Sequence, residues 1–197
     1  MKKYFFLLIA ALLGSSAQSQ NLGGGLVVGF NASQVDGDDF RGFNKAGLSL
    51  GGFVTYPIND RFSFQPEILV EQLGSANQQQ LIVQTTHADV PLLLNITVPI
   101  ELGETTQEIQ VVAGPVIGVL LRAKDFNVDI TNNLKRVDYR ATAGIIYRMG
   151  RFGLGIRYGY SLNTFAKGTS NIGLFLTGPY HHYVNFSLRW FIAESRN

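Results

Sequence analysis

The stretch Tyr183-Val-Asn-Phe-Ser-Leu-Arg-Trp-Phe191, close to the C-terminus, decides how the rest of the chain is read. Val184, Phe186, Leu188, Trp190 and the following Ile192 fall on one phase of a two-residue alternation, and Asn185, Ser187 and Arg189 fall on the other. Successive side chains of a strand point to opposite faces, so this segment has one apolar face and one polar face. A lone strand leaves a row of backbone donors and acceptors unpaired and must therefore belong to a sheet. The same alternation recurs over 22–33, 45–58, 62–73, 86–98, 108–121, 135–148 and 152–162, with 180–192 as the eighth segment. It is weakest in 108–121, where both phases are apolar or small.

The acidic and basic strand residues share a phase with the strand glycines, and the other phase is almost wholly aliphatic and aromatic. A soluble ligand-binding barrel reverses this order, with apolar residues inside and Lys and Glu outside. Lipid outside and a polar, crowded lumen inside suit the pattern, because hydrocarbon solvates no backbone group and only a closed sheet leaves no edge. The connections alternate in length. Polar linkers over 34–44, 74–85, 122–134 and 163–179 are long, while Asn59-Asp60-Arg61, 101–107 and Met149-Gly150-Arg151 are shorter. Eight segments with this alternation specify an eight-stranded antiparallel up-and-down transmembrane β-barrel with both termini periplasmic and the long loops external. Tyr56, Phe62, Tyr147, Phe152 and Trp190 gather near the short turns, as an interfacial aromatic girdle would. Pro57, Pro66, Pro91, Pro99 and Pro115 lie in or at the ends of these segments, and bulges or strand termini are expected to absorb the missing donors.

Export is written at the N-terminus. Lys2 and Lys3 precede the apolar run from Tyr4 to Leu13 and the small residues up to Ser19, which is the pattern of a signal peptide cleaved after Ala17 or Ser19. The ten-residue run is well short of the roughly 20 residues a spanning helix needs. The expected organisation is a leader over 1–19 and one β-barrel domain over 20–197. Taking away Lys2 and Lys3 from 16 basic residues leaves 14 against 14 acidic ones, so the mature chain is formally neutral and offers no basic face for nucleic acid. With no cysteine there is no disulfide framework, and closure of the sheet must supply stability.

Several local phrases resemble a known family. Phe62-Ser-Phe-Gln-Pro-Glu-Ile-Leu69 is similar to the "FSLQPELLY" strand, the stretch from Ala88 to Leu94 to the "LEIPLL" strand, and Val112-Ala-Gly-Pro-Val116 to the "AGP" strand of the PorT-like outer-membrane β-barrel family. The leader, the Gly-rich opening strand and the final strand fit as well, so the resemblance spans essentially the whole mature chain. It implies an outer-membrane barrel, and one role it brings in is that of an accessory barrel of a protein-secretion apparatus. The chain departs from the pattern at its end, where Ala193-Glu-Ser-Arg-Asn197 follows the last aromatic residue on which such barrels commonly finish.

The chemistry-bearing residues point inward. Glu67, Glu71, Asp89, Asp138, Arg140, Arg148, Arg157 and Arg189 all share the lumen phase, four acids and four bases, and are expected to form a hydrogen-bonded ionic plug. Arg157 and Arg189, on adjacent strands, suit bidentate carboxylate partners, with Glu67 and Glu71 as the expected ones. An eight-stranded bore is about wide enough for side chains to fill it, so the chain is read as a small non-porin barrel with a structural or binding role through its external loops. The enzymatic alternative is a lipid-modifying barrel, for which His87, Asp89 and a loop serine such as Ser75 supply the residue types. No motif ties these three together, and no catalytic centre is assigned. His87 and Asp89, with His181 and His182 at the start of the last segment, fall short of a closed ligand set, so neither metal nor cofactor is expected. The partners expected are outer-membrane lipid and, during biogenesis, the barrel-assembly machinery. The external ligand is not legible.

Overall fold

The computed structural model describes residues 22–36, 43, 45–77, 80–102, 105–125, 128–164 and 180–193. The expected leader and its cleavage point lie outside these residues. Among the described residues, nine strands form one antiparallel sheet: β1 (Gly23–Asp36), β2 (Lys45–Pro57), β3 (Phe62–Asn77), β4 (Gln80–Leu102), β5 (Thr105–Asp125), β6 (Val128–Asp129), β7 (Val137–Met149), β8 (Phe152–Ser161) and β9 (Tyr180–Ala193). The two-residue β6 only prolongs the outer end of β5. The other eight pair in sequence order, and β1 pairs with β9 from Gly24 to Asp36, which closes the ring. The eight-stranded up-and-down barrel expected from the alternation is the fold observed.

Facing follows the sequence phase. Outward positions over 26–32, 48–56, 62–70, 88–98, 109–121, 137–149, 152–160 and 184–192 carry no charge. They form an apolar belt that includes Leu26, Leu50, Ile68, Leu94, Ile145, Ile156 and Leu188, all exposed on the barrel wall. Gln34, Gln72, Gln84, Thr86 and His182 mark its outer rim. Of the girdle residues, Tyr56, Phe62, Phe152 and Trp190 are exposed at the short-turn end, as expected, and Tyr147 is half-buried there.

Local sequence explains the tight turns. Asn59 Oδ1 accepts hydrogen bonds from the backbone N–H groups of Arg61 and Phe62 at 3.0 and 2.9 Å, an Asx turn that reverses the chain between β2 and β3. Gly150 turns the chain between β7 and β8 with φ of 56°, a conformation that side-chain-bearing residues adopt only with strain.

Two expectations need correction. The linkers 74–85 and 101–107 are not loops, because β3, β4 and β5 run on through most of them as paired strand; polar side chains do not stop a ladder, they only mark where it leaves the apolar layer. The prolines are the second case. Pro57 ends β2, and Pro99 lies beyond Ile96, the last β4 residue paired with β3. Pro66, Pro91 and Pro115 sit beside gaps in the ladders. β2–β3 pairing skips from Phe53↔Glu67 to Tyr56↔Phe64, β3–β4 from Pro66↔Leu92 to Leu69↔Asp89, and β4–β5 from Pro91↔Val116 to Leu94↔Ala113. Register is the same on both sides of each gap, so these prolines are accommodated by lapses in pairing, not by bulges. The register shifts fall elsewhere, at Gly24/Gly25, Ser75/Ala76 and Thr86/His87.

Candidate functional site

The site is the bore itself, built by inward side chains of every barrel strand. Glu67 on β3 is its lower centre, nearer the short-turn end. Its Oε2 accepts from Arg157 Nη1 at 2.8 Å and its Oε1 from Arg189 Nη1 at 2.7 Å. Gln65 Nε2 also donates to Glu67 Oε1 at 2.7 Å, and Gln65 Oε1 in turn accepts from Asn95 at 2.9 Å and from Thr55 at 3.3 Å. The upper centre is Arg140 on β7, wholly buried against three carboxylates. It is hydrogen-bonded to Asp89, with Asp138 at 3.2 Å and Glu71 at 3.7 Å. Tyr183 lies against the same guanidinium, 5.6 Å from ring centroid to carbon. Glu71 Oε1 also accepts from Ser49 Oγ at 2.9 Å and Asn31 Nδ2 at 3.4 Å, and Asn185 donates to Asn31 at 2.7 Å.

Charges stripped of water need such partners, because desolvation costs several kcal/mol per ion. Seven of the eight expected lumen residues meet in these two centres. The pairing differs from expectation: Glu67 takes both Arg157 and Arg189, while Glu71 goes to Arg140. Arg148 is the exception and stands apart. It sits at the short-turn mouth, 3.6 Å from Glu108 and with its guanidinium 4.3 Å from the Phe191 ring centroid. β7 runs from the outer end inward, so Arg148, eight residues after Arg140, lands far below the network. The expected balance of four acids and four bases is therefore four acids and three arginines.

Apolar clusters flank the network. Toward the short-turn end, Val27, Phe53 and Phe191 pack with Leu69, which lies between Glu67 and Glu71 on β3, Phe53 and Phe191 stand edge to face at 5.1 Å, and Leu93, Val112 and Ile146 form a second cluster. Above it, Val35, Leu120, Ala123, Ile130 and Leu134 close the outer mouth. The segment after β6 supplies this cover by folding back. Ile130 N–H donates to Ala123 O at 3.0 Å, Ala123 N–H to Thr131 Oγ1 at 2.8 Å, and Thr131 N–H to Asp129 Oδ1 at 2.9 Å. The hydrogen bonds from Thr131 hold the Asp129 carboxyl below the usual carboxylate range. The expected loop 122–134 is thus in large part ordered structure, with Ile130 and Leu134 as its buried anchors.

His87 and Asp89 both point inward, but the partner of Asp89 is Arg140, and Ser75 is a buried β3 residue, not a loop residue. Sequence reading treated His181 and His182 as one pair, yet strand parity separates them. His181 shares the inward phase of Asn185 and Arg189, whereas His182 faces outward among Phe43, Tyr158 and Tyr160. Ser49, Gln65, Asn31 and Tyr183 were missed as network members, although parity alone places them beside the charges. Removing the Ser49 hydroxyl should lower unfolding stability by about 1.5 kcal/mol, since Glu71 loses its shortest hydroxyl donor in a dry site. Urea unfolding of Ser49→Ala in micelles measures it, and an unchanged midpoint would show that Glu71 does not depend on this bond.

A closed barrel of eight long strands, belted by uncharged apolar residues and filled by paired charges, is the architecture of a small outer-membrane β-barrel protein. The family comparison agrees. A family profile described as "Outer membrane protein beta-barrel domain" matches residues 16–167, and the chain belongs to that family. No curated protein matches the sequence. Among solved structures, the attachment invasion locus protein Ail of Yersinia pestis is similar at 12% identity, over 86% of this chain and 98% of that one, with a TM-score of 0.46. The N-terminal β-barrel domain of Pseudomonas aeruginosa OprF gives 10% identity over 89% and 100%, with a TM-score of 0.44. OprG from Pseudomonas aeruginosa gives 14% over 86% and 94%, with a TM-score of 0.38.

Proposed function

We propose that this outer-membrane barrel is a non-conducting scaffold whose working surface is its long-loop end, with a structural or binding role and no catalytic turnover. The observation that carries the reading is the filled bore: Arg140, Arg189, Glu67, Glu71, His87, Leu69, Leu93 and Ile146 are all at most 2% exposed, and Phe53 packs on Phe191 beneath them. A water-filled channel needs about 16 strands, and eight leave room only for side chains. What remains for interaction is the outer rim and the connections over 37–44 and 162–179. Within the family, the "FSFQPEIL", "ADVPLLL" and "VAGPV" phrases favour a PorT-like member.

Three measurements test this. Purified protein in planar bilayers should show no stable single-channel steps of porin size, and such steps would refute the scaffold reading. Replacing 166–178 by a Gly-Ser linker of equal length should abolish capture of external partners from intact outer membranes while leaving heat-modifiable gel migration unchanged. Capture that survives this replacement removes that connection from the working surface. Incubation with labelled phospholipid or lipid A should yield no product, and a product abolished by His87→Ala would establish the lipid-modifying alternative instead.

A further inference from the structure

Between the apolar cover and the Arg140 centre, three strands bring together residues that the sequence keeps far apart. His87 on β4, Asp138 on β7 and His181 on β9 each offer a donor atom, and these atoms all lie within 4.8 Å of one another. All three residues are at most 2% exposed. The His87 and His181 rings stand edge to face with centroids 5.7 Å apart. Asp138 Oδ2 is engaged by Ser161 Oγ at 3.1 Å and by Arg140 Nε at 3.2 Å, which leaves Oδ1 free to turn to the histidines. Among the described residues, Asp138 Oδ1 and His87 Nδ1 have no hydrogen-bond partner, an arrangement a folded protein rarely leaves so deep.

We infer that His87, Asp138 and His181 form a binding site for a transition-metal dication of the zinc type. Two imidazoles and one carboxylate are the ligand set such ions favour, with a fourth position left for water. Donors bound tetrahedrally to one zinc lie about 3.3 Å apart, given bonds of about 2.0–2.1 Å. Closing the widest pair therefore takes a contraction of at most about 1.5 Å, within reach of small side-chain rotations.

Local charge favours a cation here. Glu71, Asp89 and Asp138 surround the single Arg140, three negative charges against one positive, so the centre is anionic by two charges when all are ionised. The lower centre has the opposite sign, one Glu67 against Arg157 and Arg189. The bore is thus polarised, negative beside the histidines and positive below, and a cation gains most at the histidine level. Ser161 Oγ donates to Asp138 Oδ2 and so fixes the carboxylate from behind.

The donors are buried, so the ion should enter as the barrel folds, and the test starts from unfolded full-length mature protein refolded into detergent with or without Zn2+. The expected result is one Zn2+ per chain retained after gel filtration, a higher melting temperature with the ion, and loss of both in His87→Gln and in His181→Gln. His182→Gln, on the outer wall, should behave as wild type. Ser161→Ala should weaken the ion's affinity by about 10–100-fold. Heat-modifiable migration verifies that each variant is folded. Should the histidine variants fail to fold, wild-type protein refolded with Co2+ decides: strong visible bands of a four-coordinate ion support the site, and the weak spectrum of a six-coordinate hydrated ion overturns it. A wild type that retains no Zn2+, or a His87→Gln/His181→Gln protein that retains it equally, also overturns the proposal.

Discussion

Glu67→Gln should destabilise the barrel by about 3–5 kcal/mol, more than the loss of either arginine it holds. The asymmetry follows from the geometry. Glu67 is the only carboxylate within ion-pair distance of Arg157 and Arg189 among the described residues, so its neutralisation strands two buried cations on adjacent strands. Arg157→Gln leaves Glu67 still paired with Arg189, and Arg189→Gln leaves it with Arg157. Adding Arg157→Gln to Glu67→Gln removes one of the two stranded charges, so the double variant should cost less than the sum of its parts, by about 0.5–3 kcal/mol. Unfolding in detergent micelles, by heat or by urea, reads all four corners of the cycle. Strict additivity would mean that water screens these charges and that the bore is wet.

A single arginine on the outer wall should be nearly as costly. Ile156 lies midway along β8, faces outward and is 46% exposed in the isolated chain, which in a membrane means contact with lipid. Ile156→Arg should cost about 2–4 kcal/mol when unfolding is measured in phospholipid vesicles, because the guanidinium meets hydrocarbon. The neighbouring Arg157 is tolerated one residue away only because it points the other way, onto Glu67. An Ile156→Arg barrel as stable as wild type in bilayers would place that face out of the lipid.

That pair of adjacent residues also shows why so much of the fold was legible. Parity is a local property: once Arg157 and Arg189 are fixed as inward, every second residue of β8 and β9 follows, His181 included. The two-residue period therefore yields strands, facing and the membership of the lumen from one chain alone. Partner choice is not local. Whether Arg157 meets Glu67 or Glu71 depends on how far each strand is staggered around the ring, and β3 and β8 touch only across the bore. Arg148 shares the parity of Arg140 but not its depth, which is why parity alone groups it with charges from which it stands apart. The ends of β3, β4 and β5 were misread for a related reason, since polar residues beyond the apolar belt hydrogen-bond as strand just as well as residues within it. The gathering of His87, Asp138 and His181 from three strands had only one sequence sign, a common inward phase.

The joint between β1 and β9 is continuous over its described length, interrupted by one bulge at Gly24/Gly25, whereas the wall formed by β2 to β5 carries the gaps beside Pro66, Pro91 and Pro115. In mechanical terms the molecule is a hoop whose weld is sounder than part of its rim. Pulled apart, it would tear between β2 and β3, where the ladder is shortest and holds the gap beside Pro66, before it parted where the two ends of the chain were fastened together.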